Sequence, residues 1–257
     1  ANIQFSNKNW PELLETYRDI YLTDPNQNDL LIKIYEIGIA TNKIDMVREI
    51  LLELQSDYKD RIIFELLIEI AKNNNEYNDA IDLLEELMEL TGSTDKLKIN
   101  LSDFLLKAEY FDKVIDILQP IYETGNYSLD ILRMLLISSS ILGQTEKEIK
   151  ISKRLINEYP DLSVGYEALS FSYLQSGLNE KAVEVLLEAL FKFPNSVTFP
   201  FTLATILTSS GDYSKAKNYF HHALSIQPDF VLAQRALAIM YEDMHDTYHS
   251  DSLFLYM

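Results

Sequence analysis

Two histidines four residues apart, His245 and His249, stand beside Glu242 and Asp246 near the end of the chain. On one continuous helix, imidazoles at that spacing with neighbouring carboxylates could share a divalent metal. The repeat register described below puts a turn between them and breaks that spacing, so no metal site is expected. His221 and His222 are adjacent in a helical stretch and point to different sides, which suits ordinary surface or packing roles. Paired carboxylates such as Glu85 and Glu86 could do acid–base work, yet acid pairs are abundant here and read as solvated helix faces. A glycine-rich phosphate loop, a nucleophile elbow and a His–Glu metalloprotease motif are all missing. There is no cysteine, which removes thiol catalysis, disulfides and cysteine-ligated metal centres together. The expectation is a non-enzymatic chain with no catalytic residue, no cofactor and no metal.

If side chains do not carry chemistry, the elements that hold them must carry the function. The 257 residues are 47% hydrophobic, enough to bury a core, and hold seven glycines and seven prolines, few for an all-β protein. The net charge of −18 repels nucleic-acid phosphates and anionic headgroups, so neither partner is expected. Residues 1–128 carry 12 bases against 25 acids, and residues 129–257 carry 10 against 15, so a basic partner would be drawn to the N-terminal half. Sixteen tyrosines and twelve phenylalanines without a basic stripe read as packing residues rather than base-stacking platforms. The uncharged window from Phe193 to Gly211 contains Pro194, Pro200 and several Ser and Thr, and it falls in the repeat register as a helix pair rather than a membrane span.

That register is one constant interval along the chain. It relates Gly177 to Gly211, Ala182 to Ala216, Ala189 to Ala223 and Pro194 to Pro228. Gly143 and Pro160 lie the same interval before Gly177 and Pro194. Upstream the small residues change while the frame persists: Phe111, Val114, Leu118 and Ile121 fill the slots that Tyr77, Ala80, Leu84 and Leu87 fill one interval earlier. Ile44, Val47, Leu51 and Leu54 precede those by the same interval less a single position, so one unit is a residue short, near residues 55–60. Trp10, Leu13, Tyr17, Ile20 and Pro25 form a partial unit. Residues 137–142, ISSSIL, fall inside a helix in this frame, so no boundary is placed there.

The pattern resembles the tetratricopeptide repeat, a 34-residue helix–turn–helix with small residues where its helices cross, and the resemblance covers nearly the whole chain. Residues 197–230 match it best, with Ala204, Gly211, Tyr213, Ala216, Phe220, Ala223 and Pro228, and residues 163–196 follow with Gly177, Ala182, Ala189 and Pro194. Residues 129–162 keep Gly143 and Pro160 but place Glu148 where alanine is expected. The resemblance implies an all-α fold, an α-solenoid of antiparallel helix pairs wound as a right-handed superhelix. It divides into a partial repeat 1–27, repeats 28–60, 61–94, 95–128, 129–162, 163–196 and 197–230, and a partial repeat 231–257. Both ends break off in mid-unit: residues 1–5 read as the tail of a helix and a second helix starts near His249. A fragment of a longer protein is therefore expected. Alanine at the crossing lets two helices approach, glycine takes the left-handed turn after the first helix, and proline stops the second.

In proteins similar to this one the first helices of successive units line an inner groove that takes a peptide or protein segment. The matching inward positions here include Glu36, Glu65, Glu69, Asp103, Arg133, Glu167, Phe171, Phe201 and Thr205. This groove reads acidic toward the N-terminus and apolar to hydroxylic later. Relatives that clamp chaperone carboxylates use inward Lys, Arg and Asn, whereas Glu65 and Glu69 occupy such slots here. A partner with basic and apolar segments fits instead. Phe171 and Phe201 read equally as anchors for it or as groove-closing packing. Two alternatives stay open: a scaffold that stacks on its own copies, and the interaction region of a larger enzyme.

Overall fold

A computed structural model of the protein describes residues 9–125 and 127–244. The helical tail expected over residues 1–5, the helix expected near His249 and the His245–His249 pair lie outside the described residues. Among the described residues there are fourteen helices and no strand. The fold is all-α, built of antiparallel helix pairs in the solenoid manner. The chain divides into two compact units, residues 1–126 and 127–257.

The first unit holds α1 (Trp10–Thr23), α2 (Asn28–Thr41), α3 (Ile44–Asp57), α4 (Arg61–Asn73), α5 (Tyr77–Thr91), α6 (Asp95–Lys107) and α7 (Phe111–Glu123). The second holds α8 (Leu129–Ile141), α9 (Thr145–Glu158), α10 (Val164–Gln175), α11 (Asn179–Lys192), α12 (Thr198–Ser209), α13 (Tyr213–Ile226) and α14 (Val231–Asp243). The second helices of the pairs start at Ile44, Tyr77, Phe111, Thr145, Asn179 and Tyr213, which is the register of the repeat. The interval from the start of α3 to the start of α4 is one residue shorter than that from the start of α5 to the start of α6. Pro160, Pro194 and Pro228 each follow a second helix by two residues, where a missing N–H and a fixed φ forbid continuation.

Local chemistry explains where the helices begin. Asp60 accepts from the Ile62 amide at 2.7 Å and caps α4, and Thr94, Ser128 and Asp212 cap α6, α8 and α13 in the same way. Pro11 and Pro200 sit in the first turns of α1 and α12, where the absent N–H has no helical partner to lose. The Asp60 cap also ties α1 to α4. Tyr21, fully buried in α1, donates to Asp60 at 3.4 Å, and burial, reinforced by the carboxylate, pushes its phenol pKa up to about 12.

One backbone device recurs in the turn of every described pair. One or two residues past the first helix the backbone turns left-handed: Asn42, Asn75, Glu109, Gly143, Gly177 and Gly211, with φ between 55° and 80°. The following amide then bonds back to the first helix, as in Lys43 to Gly38, Glu76 to Ala71 and Tyr110 to Leu105, each at 2.8 Å. Asparagine tolerates this backbone and glycine adopts it freely, whereas a glutamate there is strained by its Cβ. Glu109→Gly should therefore raise stability by about 1 kcal/mol, while Asn75→Gly should change it by no more than a few tenths. Paired urea melts would decide it: no gain at Glu109 would mean the turn is unstrained.

Small residues mark the helix crossings. Ala182, Ala189, Ala204, Ala216 and Ala223 have no exposed surface, and Ala204, Ala216, Phe220 and Ala223 share one core with Ala233, Leu237 and Met240 of α14. Tyr213 packs at the edge of this core. In the α2–α3 pair the device is inverted. Val47 replaces the alanine of the second helix, and Gly38 of the first helix supplies the room, since a Cβ on Gly38 would stand 2.5 Å from Val47 Cγ2.

Candidate binding face of the first helices

The inward positions of the two units differ in kind. In the first unit Glu65, Glu69 and Asp103 each meet a base one helical turn away: Arg61 at 2.7 Å, Lys72 at 3.2 Å and Lys107 at 2.7 Å. Such exposed pairs stabilise by only a few tenths of a kcal/mol, yet they neutralise locally the acids expected to draw a partner. Glu36 is exposed and makes no ion pair among the described residues. A cavity of about 330 Å³ lies between α4, α5 and α6, with Arg61, Glu65, Glu69, Lys96 and Asn100 around apolar Ile68 and Leu97.

In the second unit one row of the corresponding face is largely apolar. Ile137 on α8, Phe171 on α10 and Ile239 on α14 hold the same position in their repeats and are 44%, 48% and 43% exposed. Thr205 holds that position on α12 and turns its hydroxyl to the Phe201 carbonyl at 3.0 Å. Beside this row opens a cavity of about 440 Å³, walled by Leu136, Ile137, Phe171, Leu174, Phe199 and Thr202 and carrying Glu148 and Glu167. Arg133 is exposed on α8 outside that wall.

The two phenylalanines that the sequence left ambiguous part company. Phe201 spends its ring on packing, 5.1 Å edge-on to Phe230 and 6.1 Å from Phe220. Phe171 stays half exposed on the cavity wall. Position counting also passed over Glu148, which belongs to a second helix. The signal for it was a charge in an alanine slot.

Among the described residues no group of three or more His, Cys, Asp or Glu could hold a metal, and no helix is long and apolar enough to cross a membrane. His221 is held below the usual histidine pKa by partial burial and then by nearby Lys217.

Residues 201–230 match the family described as tetratricopeptide repeat. No curated protein sequence matches the chain. Among solved structures the chain is similar to YrrB, described as a TPR protein with an unusual peptide-binding site. That match has a TM-score of 0.58 and 16% identity, over 72% of this chain and 96% of YrrB. It is also similar to the MamA protein in two crystal structures. One gives a TM-score of 0.59 at 15% identity over 65% of this chain and 92% of that one. The other gives 0.57 at 15% identity over 63% and 95%. At such identities the likeness is one of fold, and the family match itself covers residues 201–230. Residues 201–230 thus match one tetratricopeptide repeat, and the helix-pair register of the rest of the chain shares the fold of the TPR structures it is similar to.

Proposed function

We propose that the protein is a non-enzymatic scaffold that binds an extended protein or peptide segment along the first helices of its second unit. The observation that carries this reading is the pair Ile137 and Phe171, large apolar side chains left open on the wall of a cavity of about 440 Å³, with Ile239 exposed at the same repeat position on α14. Apolar surface set in register on neighbouring first helices, as at Ile137 and Phe171, is costly to leave in water and is the usual mark of a docking surface. The likeness to YrrB, a TPR protein described by its peptide-binding site, supports the same reading. The acid excess of residues 1–128 adds long-range attraction for a partner with basic segments.

Selecting twelve-residue random peptides on the intact protein tests this. Peptides should be enriched that bind wild type at least tenfold more tightly than the Phe171→Asp variant. Phe171 is half exposed, so that variant keeps the fold. Enriched peptides that bind both forms equally would place recognition elsewhere and overturn the reading.

A further inference from the structure

Glu148 is out of place for its surroundings. It is 4% exposed, it lies in the slot that alanine fills at the helix crossings of the later repeats, and it faces the cavity of the second unit. The described ion pairs of that unit join Arg154 to Glu158, Lys192 to Glu188 and Lys215 to Asp212, and neither Glu148 nor Glu167 takes part in one. No side-chain hydrogen bond reaches the Glu148 carboxylate from any described residue. The same helix pair also buries the hydroxyls of Ser138, Ser139 and Ser152 without partners. Neither Glu148 oxygen is among the fully buried partnerless atoms, so the carboxylate faces the cavity, where a cation can reach it. Glu167 stands exposed on the same cavity, and the remaining wall is mainly apolar with hydroxyls at Ser140, Ser170, Thr198 and Thr202 and no basic residue.

We propose that this cavity is the subsite for one basic side chain, arginine or lysine, of the bound segment. Its alkyl stem lies along Ile137, Phe171 and Leu174, and its cation is held by Glu148 within and Glu167 at the mouth. The chemistry fits on both counts. Long basic side chains bury their stems against apolar surface while the head seeks a carboxylate, and a carboxylate with both oxygens free can take a guanidinium in bidentate fashion. This deepens the binding reading given above and rests on it for the identity of the ligand as part of a protein segment.

Hexylguanidinium chloride and the neutral, nearly isosteric hexylurea, titrated separately into the intact ¹⁵N-labelled protein, isolate the subsite from the peptide. Hexylguanidinium should shift amide resonances of α8 and α10 and bind at least tenfold more tightly than hexylurea. Glu148→Gln should abolish that preference without weakening hexylurea. Glu167→Gln, on an exposed residue that cannot unfold the chain, should reduce the preference about threefold. Equal binding of the two probes, a preference that survives Glu148→Gln, or shifts confined to other helices would each overturn the proposal. Peptides selected through Phe171 that lack a basic residue would leave the binding face standing and remove only this subsite.

Discussion

Truncating Phe220 to alanine should lower stability by about 3–5 kcal/mol, the range for an aromatic ring removed from a closed core. Phe220 is 1% exposed on α13 and packs with Ala204, Ala216, Ala223 and Leu237, with the Phe201 ring 6.1 Å away. Alanines surround it because the helices already approach as closely as their backbones allow. They offer no side-chain freedom to collapse into the space, and that puts the loss toward the upper end of the range. Against a total stability of roughly 5–15 kcal/mol, such a loss would leave the second unit marginal. Phe191→Ala is the matched control. It also lies on a second helix, but is 88% exposed, and its loss should stay within about 0.5 kcal/mol. Urea unfolding followed by ellipticity separates them: the midpoint should fall for Phe220→Ala with little change in slope, and stay put for Phe191→Ala. Equal midpoints for the two variants would mean that the repeat register has the wrong phase on α13.

What the sequence made legible was the frame. Its constant interval located the starts of α5, α7, α11 and α13, because the apolar residues that open each second helix must face the same neighbours in every unit. The one-residue deletion was equally legible, since it moves the phase of everything before it. What was not legible were the substitutes for the signature residues. Asn42, Asn75 and Glu109 perform the left-handed turn of Gly143, Gly177 and Gly211, but nothing in an isolated Glu announces a positive φ. The pairing of Glu65 with Arg61 and of Asp103 with Lys107 was within reach, since both are neighbours one helical turn apart. Counting inward positions alone set the bases aside. Phe171 and Phe201 differ for a reason no single helix contains. The ring of Phe230, from the loop before α14, lies edge-on to Phe201, whereas the wall around Phe171 opens into a cavity.

The first-unit crossing gives the second large effect. Gly38→Val should cost about 3 kcal/mol, at the top of the usual range for overpacking. A Cβ at position 38 would sit 2.5 Å from Val47 Cγ2 and 3.2 Å from Val47 Cβ, and valine adds two methyl groups beyond it. Val47 cannot yield, because it is fully buried and its β-branched side chain has one favoured rotamer in a helix. The gain from replacing a helical glycine, at most about 1 kcal/mol, does not offset this. Val47→Ala in the same chain restores the arrangement of the later repeats, with the small residue returned to the second helix, as at Ala182 and Ala216. The double variant should therefore be more stable than the sum of the two single losses implies, by at least about 1 kcal/mol, in a double-mutant cycle. Additive losses would show that the two residues do not meet. The close approach of α2 and α3 would then need a cause other than the exchange of a small residue from one helix to its partner.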